Sequence, residues 1–420
     1  MTRSASRLLR ASILGAIAAC VAPWMAFAHD ASMHGTHSMS GMSPRSGACS
    51  EPVPKCAISV SPIFDGEGAL RVIYAVNGRV YVARSRDEGR TFEAATAISD
   101  APASMDDSYE GRPTMVMSRD GTIAAAWSVW RDKQWNAMVL FSRSIDGGKT
   151  FSAPRPLADS VSQRFPSLGF APDGTLWTTW LDKRNIPAAK AARDDYEGAG
   201  LALSVSHDKG ATFSPSVIVS DRTCECCRIS LAFDPDGGAI AVWRQIYGKN
   251  FRDHELGRFS ADGKSVMGVR VSEDNWAIDA CPHHGPSLAI DAAGMRHVAW
   301  YTGGGVRKGL FYAHESGQGA PFSAPQPFGD DARTAQHPQV LANSGSLVRA
   351  WKEFDGETTA ILFQASYDGG TVWTQPATIA TTKDASDHPI LIAKAERVFL
   401  SWLTKAEGYR LMQMPLTPER

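Results

Sequence analysis

Long apolar runs are absent from the sequence beyond its first 28 residues, which excludes a polytopic membrane protein. An excess of charge of one sign is also absent, because 43 Lys and Arg stand against 44 Asp and Glu for a formal net charge of −1. This balance gives no sign of nucleic-acid binding or of an acidic, solvating tail. Glycine (37), proline (24) and tryptophan (12) are plentiful, which favours short strands and many turns. The 420 residues, 43% of them hydrophobic, are enough to bury a large core.

The N-terminus has the pattern of an export signal. A basic n-region and an apolar stretch precede the small residues Ala-Phe-Ala, which predicts cleavage before His29. The residues ending at Cys20 resemble a lipobox, but apolar residues continue after it, so simple cleavage is favoured over lipid anchoring. We therefore expect residues 1–28 to be removed, no transmembrane segment to remain, and the mature chain to be periplasmic or secreted, where thiols are oxidised.

Residues 29–54 are expected to form a disordered tail with a small cysteine loop. Histidine and methionine alternate in it, and imidazole and thioether are soft ligands that suit copper, Cu(I) especially. A linker without any ligand role is an equal alternative. For Cys49 and Cys56, a disulfide that closes a small loop is favoured over a role in copper relay. The tail ligands predicted are His29, Met33, His34, His37, Met39 and Met42.

Four segments repeat the pattern S-x-D-x-G-x-T-F or a near match, and two weaker copies lie between them. The period of roughly 50–60 residues is typical of a propeller or a similar array. The Asp and the glycines predict a tight turn between two strands, with the Thr and the aromatic residue fixing the turn to the sheet. The copies start at Ser85, Ser144, Ser206 and Ser366, with the weaker ones at Ser260 and His314.

A second motif keeps the same period: a short strand around P-x-L, a D-G turn or its equivalent, and an apolar strand that ends near Trp. Together with the strands that flank the Asp motif, it predicts four-stranded units arranged as an all-β propeller, with seven blades favoured and six possible. Residues 56–60 are expected to supply the missing outer strand of the last unit. No linker divides the array, so we expect one domain over 55–420. The copies begin at Pro62, Pro113, Pro166, Ile229, Pro286, Pro338 and Pro389.

The S-x-D-x-G-x-T-F segments resemble the Asp boxes of the sialidase (BNR-repeat) superfamily. The resemblance covers the chain from about residue 59 to the C-terminus and implies a β-propeller, since Asp boxes are structural in that family. For activity it implies three arginines that bind a substrate carboxylate and a Tyr nucleophile paired with Glu. The F/Y-R-I-P motif of that family has no match here, so we expect a member without sialidase activity. The candidate catalytic residues implied are Arg112, Arg164, Arg228, Tyr109 and Glu110.

Cysteine and histidine recur just before the P-x-L motif in four consecutive units. Because the first strand of each blade lines the channel of a propeller, these side chains should meet at one mouth. Thiolate and imidazole suit copper or zinc, which predicts one transition-metal site with copper first and zinc second. Strand alternation would place Cys224 and Cys226 opposite Cys227, so that the three would not all bind one ion unless the loop departs from strand geometry. The metal ligands predicted are Cys224, Cys226, Cys227, Cys281, His283, His284, His337 and His388.

Disulfide bonds are the alternative for these cysteines, since exported thiols tend to pair. A bridge from Cys226 or Cys227 to Cys281 would join two blades and leave the histidines as ordinary mouth residues. The phasing of the histidines with the repeat favours metal, and predicts an exported propeller in metal handling or redox chemistry. Two alternatives stay open: a sialidase-like glycoside hydrolase, and a non-catalytic propeller that binds a periplasmic or outer-membrane partner protein. No nucleic-acid partner is expected.

Overall fold

The computed structural model describes residues 51–99, 101–315 and 319–416, which belong to one compact unit running from Cys49 to Arg420. The predicted export signal and residues 29–50 of the predicted tail lie outside these ranges. Within them, no helix has both the length and the apolar character needed to cross a membrane. The regular structure consists of strands, two short 3-10 turns (Pro54–Cys56 and Asp331–Arg333) and one helix, α1 (Ile186–Ala192).

The strands of the described residues follow one another in seven antiparallel units, six of four strands and one of three. The units one to four comprise β1 (Val60–Phe64), β2 (Leu70–Val76), β3 (Arg79–Ser85), β4 (Thr96–Ala97), β5 (Thr114–Met117), β6 (Ile123–Trp130), β7 (Ala137–Ser144), β8 (Arg155–Pro156), β9 (Gln163–Phe170), β10 (Leu176–Asp182), β11 (Ala199–Ser206), β12 (Val217–Thr223), β13 (Ser230–Phe233), β14 (Ala239–Tyr247), β15 (Phe251–Phe259) and β16 (Val266–Arg270). The units five to seven comprise β17 (Ser287–Ile290), β18 (Arg296–Gly303), β19 (Lys308–Glu315), β20 (Gln326–Phe328), β21 (Gln336–Asn343), β22 (Ser346–Phe354), β23 (Thr359–Ser366), β24 (Ala377–Thr382), β25 (Ile390–Lys394), β26 (Arg397–Thr404) and β27 (Gly408–Gln413).

The first strands of the units form a closed ring. Each of β1, β5, β9, β13, β17, β21 and β25 lies against the next, and β25 returns to β1. In each unit the second and third strands follow outward from the first by antiparallel pairing. Sheets arranged radially around a ring of inner strands form a β-propeller, so the predicted all-β propeller is confirmed.

The last unit lacks the outer strand that was expected from residues 56–60. Pro54–Cys56 instead forms a 3-10 turn that contacts β27 and β2, and Val60 already begins the innermost strand of the first unit. Pro54 has no N–H to donate to a strand ladder and favours the start of a turn, so this segment covers the edge of β27 without pairing with it. The prediction for residues 56–60 is therefore wrong.

A tryptophan in the second strand of a unit packs against the neighbouring unit. Trp300 of β18, for example, lies in one apolar cluster with Ile240 and Val242 of the preceding unit. The first unit has Tyr74 at the corresponding place. These large side chains fill the wedges between sheets, which explains the high tryptophan content of the sequence. The six tryptophans, each with less than 2% of its surface exposed, are Trp127, Trp180, Trp243, Trp300, Trp351 and Trp402.

The Asp boxes form the tight turns that their composition predicts. In the second copy, Asp146 accepts hydrogen bonds from the Thr150 N–H at 3.0 Å, the Thr150 hydroxyl at 2.6 Å and the Ser144 hydroxyl at 2.7 Å. Gly148 sits in this turn with φ of 86°, a conformation that favours glycine. These aspartates are used by their own turns, which agrees with a structural role.

Candidate metal centre

Three cysteines lie together in the turn between units three and four. β12 ends at Thr223, and the Cys224 N–H donates to the carbonyl oxygen of Arg244 at 2.8 Å. The Sγ atom of Cys224 is 3.5 Å from that of Cys226 and 3.7 Å from that of Cys227. All three side chains are buried, and none is in a disulfide. The chain leaves strand geometry at Cys224, which is the condition under which all three cysteines were expected to be able to meet.

The three thiols differ in the direction in which their pKa values are shifted. Hydrogen bonds from Cys226 and Cys227, helped by Arg244 and Arg252, hold the pKa of Cys224 well below its usual range. The Nη1 atom of Arg252 lies 3.6 Å from the Cys224 sulfur. Burial raises the pKa of Cys226 well above its usual range and that of Cys227 to about 11. The loop therefore favours the thiolate form at Cys224 over that of its two neighbours, whose thiols a bound metal ion would deprotonate.

The segment that precedes β17 contributes Cys281 next to the buried thiols and His284 next to His337. Cys281 is exposed, and a hydrogen bond from Cys226 lowers its pKa, so it is the solvent-facing neighbour of the buried thiols. His283 is exposed, whereas the ring of His284 lies 4.7 Å from that of His337. Of the two histidines predicted here, the structure brings His284 to the other candidates.

A second cluster joins residues of units two, six and seven. Glu110 precedes β5, His388 precedes β25, and His337 lies in β21, where the pairing register shifts between Gln336 and Gln339. The two imidazole rings stack with centroids 3.3 Å apart and planes 16° apart. Nδ1 of each ring is 3.3 Å from the same oxygen, Oε1 of Glu110. All three side chains are buried.

The charge states of this second cluster suit ligands. Burial works to raise the pKa of Glu110, but Arg228 and the two histidines hold that pKa well below its usual range. The Nη1 atom of Arg228 donates to Oε1 of Glu110 at 2.6 Å. Burial lowers the pKa of His337 well below its usual range and that of His388 to about 3. At neutral pH the cluster thus holds a carboxylate and two neutral imidazoles, the form in which histidine binds metals.

One arginine connects the two clusters. Arg244 donates from Nη2 to the carbonyl oxygen of His284 at 2.9 Å, while its own carbonyl accepts the N–H of Cys224. The ring of His284 lies between Tyr301, at 4.3 Å, and His337, at 4.7 Å. The sequence predicted a single ligand set. The structure divides it into a thiol cluster and a carboxylate–histidine cluster, both at the same end of the ring of inner strands.

Sequence reasoning left two residues of this region out of the metal ligands. Glu110 was placed at the channel mouth by its position before Pro113, and the sialidase resemblance implied a catalytic role for it. His254 lies in β15 opposite Arg244 and is 1% exposed, and neither of its ring nitrogens has a hydrogen-bond partner. Burial lowers its pKa well below the usual range. His254 lies in the interior of a third strand, so no motif signalled it.

Each of the three arginines implied by the sialidase resemblance is paired with its own carboxylate. The ring of Tyr109 lies 5.3 Å from that of His388, so this candidate nucleophile does reach the second cluster. A substrate carboxylate would have to compete with buried protein carboxylates for the arginines. The pairs are Arg112 with Asp387 at 3.6 Å, Arg164 with Asp106 at 2.8 Å and Arg228 with Glu110 at 2.6 Å.

Several predicted residues lie outside the described ranges. Copper capture by the tail and processing at Cys20 or before His29 stay predictions. Cys56 is described and is disulfide-bonded, but its predicted partner Cys49 lies outside the described ranges, so that pairing stays a prediction. The tail ligands concerned are His29, Met33, His34, His37, Met39 and Met42.

Comparison with known proteins identifies relatives of the fold. No family model matches the chain, and no curated protein does. An ulvan lyase of polysaccharide lyase family PL25 is 12% identical, covers 84% of this chain and 90% of its own, and gives a TM-score of 0.55. The intramolecular trans-sialidase from Ruminococcus gnavus, in complex with oseltamivir carboxylate, is 12% identical, covers 73% and 95%, and gives 0.50. These structures confirm the sialidase-like propeller fold.

Proposed function

We propose that this sialidase-like propeller binds a transition metal ion at one mouth of its channel, with copper the first choice and zinc the second. One observation carries the proposal: Cys224, Cys226 and Cys227 place three buried sulfur atoms within 4.8 Å of one another without a disulfide. Thiolates are the ligands that Cu(I) and Zn²⁺ favour in proteins.

The spacing of the sulfur atoms suits a shared ion. In a tetrahedral site with Zn–S bonds of about 2.3 Å, sulfur ligands lie about 3.8 Å apart. The Cys224 sulfur is 3.5 and 3.7 Å from its two neighbours, so only small adjustments are needed. Cys281, hydrogen-bonded with Cys226, stands where a fourth ligand or an entry point would be. Arg252, 3.6 Å from the Cys224 sulfur, would offset the negative charge of the bound thiolates.

The proposal extends to an exported protein that handles the metal or uses it in redox chemistry. Copper bound by Cys and His ligands can change oxidation state, which suits either role. The His- and Met-rich tail would capture or buffer copper, and a periplasmic or outer-membrane protein would donate or receive it. The support for these parts is the sequence alone.

The thiol cluster is tested by Cu(I) binding under reducing conditions, measured by competition with a chromophoric chelator. Cys226→Ser and Cys227→Ser should each weaken Cu(I) binding by about tenfold or more, since changes even outside the ligand set cost that much in other sites. Asp146→Ala, in an Asp box, is the control and should bind Cu(I) as the wild type does. Unchanged affinity in both cysteine variants would contradict the proposal.

A glycan-active enzyme is the second candidate. It is favoured by the fold, which the protein shares with a polysaccharide lyase and a trans-sialidase, and by Tyr109 and Arg112, which lie next to Glu110 and His388 of the second cluster. Arginines at the mouth suit an anionic sugar. The test is cleavage of a fluorogenic sialoside and of ulvan, with and without a chelator. Activity that survives the chelator and is lost in Arg112→Ala would support this candidate, and inactivity on both substrates would remove it.

A further inference from the structure

We infer that the channel mouth contains a second metal site, separate from the thiol cluster, formed by Glu110, His337 and His388 and suited to a divalent ion such as Zn²⁺ or Cu²⁺. Nitrogen and oxygen ligands select a different ion, or a different oxidation state, from three thiolates. The inference does not depend on metal binding by the cysteines and would stand if that proposal failed.

The distances among the three residues match those of a bound ion. One donor atom from each lies within 4.8 Å of the other two. Nδ1 of His337 and Nδ1 of His388 are each 3.3 Å from Oε1 of Glu110. Ligand atoms about 2.0–2.1 Å from a tetrahedral zinc lie about 3.4 Å from one another. An ion could therefore be placed against all three atoms once the two stacked rings tilt apart, so that both Nδ1 lone pairs point at it.

Unpartnered nitrogen atoms provide a second, independent observation. Nδ1 of His284, of His337 and of His388 is buried in each case, and apart from the 3.3 Å contacts of the last two with Oε1 of Glu110 none has a hydrogen-bond partner. Buried polar atoms are nearly always paired, and one left unpaired destabilises the fold. The imidazole rings of His284, His337 and His388 lie one after another. An ion bound by His337 and His388, with His284 beside it, would give these nitrogen atoms a partner.

Arg228 pairs with the carboxylate of Glu110, but it does not provide a partner for the histidine nitrogen atoms. It donates to Oε1 of Glu110 at 2.6 Å, and the Gly285 N–H lies 3.3 Å from Oε2. The ion pair neutralises Glu110 when no cation is bound. With a cation present, Arg228 would hold the carboxylate in orientation, the role that outer partners of metal ligands have. Neither Arg228 nor the Gly285 N–H is a hydrogen-bond partner of Nδ1 of His337 or His388.

The backbone at His337 indicates that the position of its ring is maintained at a cost. His337 has φ of 52°, in the left-handed region that residues other than glycine seldom adopt. It lies in the register shift of β21 between Gln336 and Gln339. Phe165, which precedes Pro166 in unit three as His337 precedes Pro338, has φ of 54°, so this backbone bend belongs to the inner strand and orients the ring of His337 without itself indicating an ion.

The experiment uses the full chain with the three tail histidines replaced by alanine, so that tail imidazoles do not bind the probe. Zn²⁺ affinity is measured by competition with a chelator, and Co²⁺ absorption reports the ligands, because only thiolates give a sulfur-to-cobalt charge-transfer band. The control removes a partly buried carboxylate of β15 that accepts a hydrogen bond from Tyr247 at 2.7 Å. The variants on this background are Cys226→Ser, Glu110→Gln, His388→Gln and the control Glu255→Gln.

The expected result separates the two sites. Cys226→Ser should keep about one Zn²⁺ per chain and give Co²⁺ spectra without a sulfur band. Glu110→Gln and His388→Gln should each weaken that ion by about tenfold or more while the sulfur band persists, and Glu255→Gln should match the background. Near-UV circular dichroism checks folding, and His388→Gln serves if Glu110→Gln does not fold.

Wild-type Zn²⁺ affinity in both Glu110→Gln and His388→Gln would overturn the second site. So would a Cys226→Ser protein that binds no Zn²⁺ at all, since the histidines would then act only together with the thiols. A missing sulfur band in every protein would count against the thiol cluster alone.

Discussion

Acidification of the metal-free protein should loosen the channel mouth before most of its carboxylates are protonated. Burial lowers the pKa of His388 in the folded protein to about 3, against about 6.5 in the unfolded chain. Because the folded pKa is the lower one, the unfolded state binds the proton first as pH falls. Stability is therefore complete above about pH 6.5 and is lost progressively toward about pH 3. The pKa values of His337 and His284 are shifted in the same direction.

The magnitude follows from the difference between the two pKa values of His388. A difference between about 6.5 and about 3 corresponds to roughly 5 kcal/mol below pH 3, and to roughly 3 kcal/mol at pH 4.5. Domains are stable by about 5–15 kcal/mol, so the loss is a large share of the total. The pKa of Glu110 is also lowered in the folded state, but its contribution is lost only below about pH 4.3, the unfolded value. In the window from pH 6.5 to 4.5, Asp107 and Asp387 act in the opposite direction, because burial raises the pKa of each to about 6. The histidine contribution is therefore read from the difference between the wild type and a variant without His388.

The assay is urea denaturation of chelator-treated protein at several pH values in that window. His388→Gln, whose amide stays neutral, should lose roughly 2 kcal/mol less than the wild type between pH 6.5 and 4.5. His207→Gln, at an exposed histidine, is the control and should follow the wild type. The same pH dependence in His388→Gln and in the wild type would refute the reasoning.

Three further predictions test the fold and the site. Trp351→Ala, at a side chain with no exposed surface, should cost about 3–5 kcal/mol of unfolding free energy in urea titrations, and a cost below 1 kcal/mol would contradict its place in the core. Asp146→Ala should lower the melting temperature without changing metal binding, because its carboxylate is used by its own turn. Cys281, which is exposed and has a lowered pKa, should react with iodoacetamide before Cys226 and Cys227 in mass-spectrometric time courses, and earlier labelling of the buried pair would contradict the structure.

The fold was predictable because its signals are local and repeat in register. An Asp box fixes its turn through residues four positions apart, as Asp146 does with Thr150. A buried tryptophan recurs in the second strand of units two to seven and packs against the neighbouring unit. The segment before β1 was not predictable in the same way, because it belongs to no repeat and Pro54 turns it into a 3-10 helix against β27.

Only those residues of the site that occur in phase with the repeat were predictable. Phasing located the cysteines and histidines at one end of the inner strands, but it could not show which units face each other across the ring. Glu110 of unit two meets His337 and His388 of units six and seven only because the ring closes. The turn at Cys224–Cys227, which follows Arg222 with φ of 56°, breaks the alternation that was used to separate the thiols. His254 has no phase with the repeat at all.

The most direct measurement is elemental analysis of protein purified from the periplasm without a metal-binding tag, with free thiols counted on the same sample. The account predicts bound copper or zinc, with at least about one ion per chain lost in Cys226→Ser and thiols that react only after the metal is removed. A wild-type protein with neither metal nor free thiols would contradict it, because the cysteines would then be disulfide links between blades.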